Sequence, residues 1–137
     1  MADVIRKVVY YKTEVPDKPG EGARILGALK AEGVNMLAFS GFPSGRRAQM
    51  DFMPEDETLF KKTARKAGLK LSAKKTCFLV QGDDRVGAVS EIMTKVAAAK
   101  INITALDAIV AGGGRYGVIF WVKPDDVRKT EKLIGAS

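Results

Sequence analysis

Histidine is absent from this chain of 137 residues, and cysteine occurs once, at Cys77. The first absence removes the commonest general base and the second the usual ligands of structural zinc, which argues against serine or cysteine triads and Cys/His metal clusters. A disulfide framework needs at least two cysteines and is not available. Cys77 stands in the strand-like run TCFLVQG and reads as a small buried hydrophobe. No apolar run approaches the roughly 18 to 20 residues of a membrane span, and the opening MADVIRK lacks the apolar core of a secretion signal. A cytoplasmic protein without membrane contact is therefore expected. Also missing are the G-x-x-x-x-G-K-[ST] loop, the G-x-S-x-G elbow and the H-E-x-x-H pair. Asp125 and Asp126 beside Pro124, and Glu55, Asp56 and Glu57, read most simply as helix caps. The expectation is a non-enzyme with no metal and no cofactor.

What the chain does have is one pattern written twice. DKPGEGARILGALKAEGVNML runs from Asp17 to Leu37, and DRVGAVSEIMTKVAAAKINIT from Asp84 to Thr104. Asp17 and Asp84, Gly20 and Gly87, Ile25 and Ile92, Asn35 and Asn102 all match at one offset of 67 residues. A period that long in so short a chain means two copies of one small module. Each copy reads as a strand-to-helix turn, a helix of about three turns, and a strand opening apolar-Asn-apolar. In the second copy Val89, Ile92, Met93 and Val96 fall at helical spacing, which predicts one apolar stripe lying on a sheet.

Read in order, VIRKVVYYKTEV from Val4 to Val15 is a strand and Gly20 to Glu32 a helix stopped by Gly33. NMLAFSGF and RRAQMDFM form a hairpin around Pro43, Ser44 and Gly45. A helix capped by Asp56 closes at Gly68, and LKLSA is a last short strand. The second copy repeats this: TCFLVQG is a strand, Arg85 to Lys100 a helix, INITALDAIVA and RYGVIFWV a hairpin through Gly112, Gly113 and Gly114. A final helix runs from near Asp125 to Gly135. Only Ala136 and Ser137 follow, so the second module lacks a last strand of its own. The fold class is α+β: two ferredoxin-like (βαββαβ) modules with antiparallel sheets, 1–72 and 73–137. The run from Leu69 to Gly82 holds almost no turn signal, so one module should pass straight into the next. The open edge beside TCFLVQG should be covered by a strand of the other module or of a second chain, hence the expectation of a homodimer.

The net charge of +7 divides as about +3 before residue 69 and +4 after it, without a basic tail. Its densest cluster, Lys61 to Lys75, reads as the solvated face of a helix and strand, with an acidic partner surface as the alternative. Both turns suit an anion, because the helices beginning at Gly20 and Gly87 present unpaired N–H groups and a positive dipole end. Asp17 and Asp84 can receive an ammonium group, and Asn35 and Asn102 each offer a donor and an acceptor. That inventory fits an α-amino acid. The same residues are also ordinary N-caps and turn formers, so both readings stand at this point.

DKPG, a helix and then GVNM resemble the ACT domain, a regulatory module that in many relatives binds amino acids and controls their metabolism. The second copy departs from the pattern in having Val86 for the usual proline. The resemblance implies a stand-alone pair of regulatory modules, with an enzyme of amino-acid metabolism as a partner. It places a small ligand at the interface between modules, Asp17, Lys18 and Gly20 facing Asn102 and Ile103, and Asp84, Arg85 and Gly87 facing Asn35 and Met36. Relatives often carry a histidine where this chain has Val15 and Gly82, so the identity of the ligand does not carry over.

RNA binding is the alternative, because the RNA-recognition motif has the same element order and suits a basic protein. Tyr116, Gly117, Ile119 and Trp121, with Phe78, partly match its signature, but Val118 stands where the decisive aromatic should be. Strand alternation puts Tyr116, Val118 and Phe120 on one face and Ile119 with Trp121 on the other, which makes core the better reading. Nucleic acid is therefore not an expected partner.

Overall fold

The computed structural model describes residues 3–136. Among these, six strands and four α-helices follow one another as β1 (Val4–Pro16), α1 (Glu21–Ala31), β2 (Met36–Ser44), β3 (Arg47–Pro54), α2 (Glu57–Lys66), β4 (Lys75–Asp83), α3 (Ala88–Ala98), β5 (Ile103–Gly112), β6 (Arg115–Val122) and α4 (Val127–Ile134). A single 3-10 turn, Pro124–Asp126, leads into α4. This is the α+β, twice-written ferredoxin-like arrangement, with strand order β2-β3-β1-β4-β6-β5 and antiparallel pairing. No helix among the described residues is long and apolar enough to cross a membrane.

The chain divides into two compact units, Val9–Lys75 and a second that joins the residues up to Val8 to those from Thr76 onward. In the first, β3 lies between β2 and β1, with Phe52 opposite both Phe39 and Tyr11. Alternate residues Tyr11 and Val15 of β1, and Met50 and Phe52 of β3, meet Ile25 and Leu29 of α1 and Phe60 and Ala64 of α2 in one core. In the second, Phe78 and Val80 of β4 and Val118 and Phe120 of β6 meet Ala88, Ile92 and Val96 of α3 and Ile134 of α4.

The helix ends follow local chemistry. Asp56 caps α2 by accepting from the Leu59 amide at 3.0 Å, and Gly68 closes it in the left-handed region. The stripe on α3 is Ala88, Ile92 and Val96 with Val89 at its margin, whereas Met93 is 45 % exposed. Spacing of four along one face wins here, and Met93 falls on the flank.

Two expectations are revised. The β2–β3 turn is Gly45–Arg46, since Pro43 and Ser44 still pair with Ala48 and Arg47. Residues 69–73 form no regular strand. They follow β1 through mixed bonds: the Ser72 amide donates to the Lys12 carbonyl (2.9 Å), the Lys12 amide to the Ser72 hydroxyl (3.0 Å), and the Thr13 hydroxyl to the Lys70 carbonyl (2.7 Å). Hydroxyls that stand in for main-chain partners satisfy the backbone but interrupt a ladder. The edge beside β4 is covered by β1, the first of the two expected covers, and the β1 residues up to Val8 belong to that unit. The first strand of the chain thus supplies the strand the second module lacks, and this edge calls for no second chain.

Candidate functional site

The end of β4 leads through Asp84, Arg85, Val86 and Gly87 into α3. Gly87 has φ +82 and Gly20, at the matching place before α1, φ +91. Open space surrounds both, so the backbone conformation, not crowding, requires glycine there. A β-branched residue would strain the turn itself, which makes Gly87→Val a poor probe of ligand access. Neither glycine offers a side-chain cap, and helix geometry leaves the first-turn amides of Val89 and Ser90 without a carbonyl one turn earlier.

At the start of α3 these residues border a cleft of about 250 Å³. One wall is Asp84, Arg85, Gly87, Ala88, Val89 and Ser90; the other is Ala108, Ile109 and Val110 of β5 with Tyr116 of β6. Its volume falls below the roughly 300–1,000 Å³ of drug-sized pockets, which suits a ligand of few heavy atoms.

Arg85 is the centre of its charge. One guanidinium nitrogen donates to Asp3 Oδ1 (3.2 Å) and the Asp83 carbonyl (3.1 Å), the other to Asp3 Oδ2 (3.3 Å) and Glu91 Oε2 (2.7 Å). The group also lies 5.9 Å from the centre of the Tyr116 ring. Burial pushes the Asp3 carboxyl up, but the Arg85 guanidinium and the nearby Tyr116 hydroxyl outweigh it and hold the group below its ordinary range. Burial, and then the neighbouring Asp3, push the Tyr116 phenol up to about 12. Its hydroxyl is buried and closes no hydrogen bond of good geometry. Next to it, Asp83 pairs with Arg115 at 2.8 Å, which lowers the Asp83 carboxyl.

The first turn differs. Asp17 and Lys18 are exposed, as Asp84 and Arg85 are, but Glu21 in the first turn of α1 pairs with Arg24 at 2.8 Å and Lys18 at 3.9 Å. Asn35 is held by its own module: its amide donates to Glu55 Oε2 at 3.0 Å and its carbonyl accepts from the Glu55 amide at 3.0 Å. Met36 packs at the margin of the core. Asn102 is exposed, and Ile103, opposite Val122, packs beside the other core.

Of the residues expected at a site, Asp84, Arg85 and Gly87 therefore come together, whereas Asn102 does not join them within its own module. It precedes β5, and the β5 wall of the cleft begins six residues further on, about 20 Å along an extended strand. Sequence reading missed Asp3, Tyr116 and the β5 wall. Gly82 carried a signal, since a glycine near a strand end marks a close approach.

The aromatics that partly matched the RNA-recognition signature are buried. Phe78 and Phe120 are fully buried, Tyr116 is 5 % and Trp121 8 % exposed, so none of these four is open to a base; the exposed Phe39 and Phe42 lie on β2, outside that signature. The Lys61 to Lys75 cluster is partly neutralised, Lys66 by Glu32 (2.6 Å) and Lys74 by Glu57 (3.2 Å).

No protein-family model matches the sequence, and no curated protein matches it. Solved structures do. A Bacteroides thetaiotaomicron protein is similar with a TM-score of 0.79 at 13 % identity, over 97 % of this chain and 88 % of its own. The ligand-free regulatory subunit of aspartate kinase from Thermus thermophilus follows with 0.66 at 15 %, over 98 % and 95 %, and the Thermus flavus subunit with 0.59 at 18 %, over 98 % and 94 %. At such identities the likeness is one of fold: the chain shares the α+β fold of these regulatory subunits along nearly its whole length.

Proposed function

We propose that the chain is a non-catalytic regulatory protein that binds a free amino acid in the cleft at the start of α3. The observation that carries the reading is the cleft itself, where first-turn amides, a guanidinium, an under-used tyrosine hydroxyl and an apolar strand converge. The ligand carboxylate meets the amides of Val89 and Ser90 and the Arg85 side chain, with the helix dipole favouring the charge. Asp84 receives the ammonium group. Ala108, Ile109 and Val110 form the wall for the side chain, which favours an apolar one. The shared fold with aspartate kinase regulatory subunits supports a regulatory role toward an enzyme of amino-acid metabolism.

A thermal-shift screen against the twenty amino acids tests this, because a ligand that binds only the native state raises its apparent stability. One or a few apolar amino acids should shift the transition, and the Arg85→Ala chain should lose the response. A flat screen would sink the proposal. The homodimer belongs to the same reading, and light scattering at micromolar protein checks it separately.

A further inference from the structure

The space that Gly82 leaves open is filled by a carboxylate. A Cβ built on Gly82 would lie 1.9 Å from Asp3 Oδ1 and 2.9 Å from Cε1 of Tyr116. The side chain of Asp3, the residue just before β1, thus occupies a place made by the missing side chain of β4, beside the Tyr116 ring and on the Arg85 guanidinium. In the other module the matching position is Val15, opposite Ala48, and Val15 is buried in the core.

Resting on the reading of the α3 cleft as an anion site, we propose that Arg85 anchors the ligand's carboxylate and that Asp3 is a built-in competitor for it. Filling the cleft then releases the end of β1. Arg85 lines the cleft and at the same time holds Asp3, so both demands fall on one side chain. Its contacts with Asp3, at 3.2 and 3.3 Å, are longer than its 2.7 Å contact with Glu91. They also exceed the roughly 2.7–2.9 Å of strong charge-assisted bonds, so the Asp3 pair is open to displacement by a carboxylate that fits Arg85 more closely. Two carboxylates already face one guanidinium, and a third arriving from the cleft adds like-charge repulsion that the departure of Asp3 relieves. Asp3 is attached to the strand that closes the edge of this unit's sheet, so its release loosens the residues up to Val8 first. Linkage makes the effect reciprocal: whatever frees this strand end raises affinity in the cleft.

The test uses the full chain, its Asp3→Ala and Asp3→Asn variants, and sodium acetate as the carboxylate probe. Amide hydrogen exchange is followed at residues 4–8, and acetate binding by NMR at the amides of Val89 and Ser90. Removing the Asp3 charge should speed exchange at 4–8 about tenfold and tighten acetate binding about three- to tenfold. Acetate should speed the same exchange in the unaltered chain. Equal acetate affinity in all three forms, no acetate response at Val89 and Ser90, or exchange at 4–8 indifferent to both acetate and substitution would each overturn the proposal. The amino-acid screen separates it from the reading beneath it. An amino acid that binds all forms equally sinks the competitor and leaves the sensor, whereas acetate competing with Asp3 in a chain that binds no amino acid does the reverse.

Discussion

The two strand-to-helix turns share their Asp, their left-handed Gly and their place in the fold, yet they pair their charges differently. Before α1 stand Lys18 and Glu21, with Glu21 in the first turn and paired to Arg24. Before α3 stands Arg85, Ala88 opens the helix, and the first-turn acid, Glu91, pairs back to Arg85 at 2.7 Å. An acid in the first turn neutralises the positive helix end and contributes about 0.3–1 kcal/mol to the helix. Both helices carry such an acid, so what separates the two turns is the cleft that β5 and Tyr116 form beside the second. The neighbouring strands differ in the same sense: Val15 faces Ala48 in one module, and Gly82 faces Tyr116 in the other. The two copies keep one backbone at these turns; a handful of side chains sets them apart.

The comparison can be tested from its largest effect downward. Phe52 and Phe120 hold matching core positions, both fully buried, so replacement of either by Ala should cost about 3–5 kcal/mol in urea unfolding. A markedly smaller loss at one of them would mean that the two cores are not equivalent. Arg85→Ala should weaken amino-acid binding in calorimetry by roughly 1.5–3 kcal/mol, while Lys18→Ala leaves it unchanged. Equal effects would return the first turn to candidacy.

Gly20→Ala and Gly87→Ala should each cost about 1–2 kcal/mol in thermal unfolding, because both sit at positive φ in open space. A difference between them would reveal a constraint beyond the backbone. Asn35→Ala should lose about 0.5–1.5 kcal/mol with its bond to Glu55, and Asn102→Ala should leave stability unchanged.

The smallest effect concerns Asp51, which is 5 % exposed at the place that Ile119 fills in the other module. Burial raises its carboxyl, against the opposing pull of Gln49, Lys12 and Lys75. A raised carboxyl binds its proton more tightly when folded, so the stability it contributes is present at low pH and lost as pH rises through the raised value. Asp51→Asn should therefore raise the melting temperature at neutral pH and flatten its fall from the acid side. A melting curve unchanged in both respects would contradict this.

Much of this was legible along the chain, because the signals are local. The repeat at 67 residues and the two periodicities define the element order, the module count and the α+β class. Asp56 as a cap, Gly68 and Gly135 as helix ends, and the alternation that buries Tyr116, Val118 and Phe120 needed only a few neighbours each. The two helix starts were legible in the same way, down to Gly20 and Gly87, since a left-handed residue before a helix is written in one glycine.

What the tertiary structure alone decided is set by pairs far apart in sequence. Asp3 meets Arg85 across 82 residues, and Lys12 meets Ser72 across 60. No short pattern records such a pairing, because its stability depends on where two strands end up side by side. For that reason β1 could be read as a strand but not as the strand that completes the second module. Gly82 could be read as a departure but not as room for a carboxylate. The difference between the two turns lies in what the fold brings up beside them.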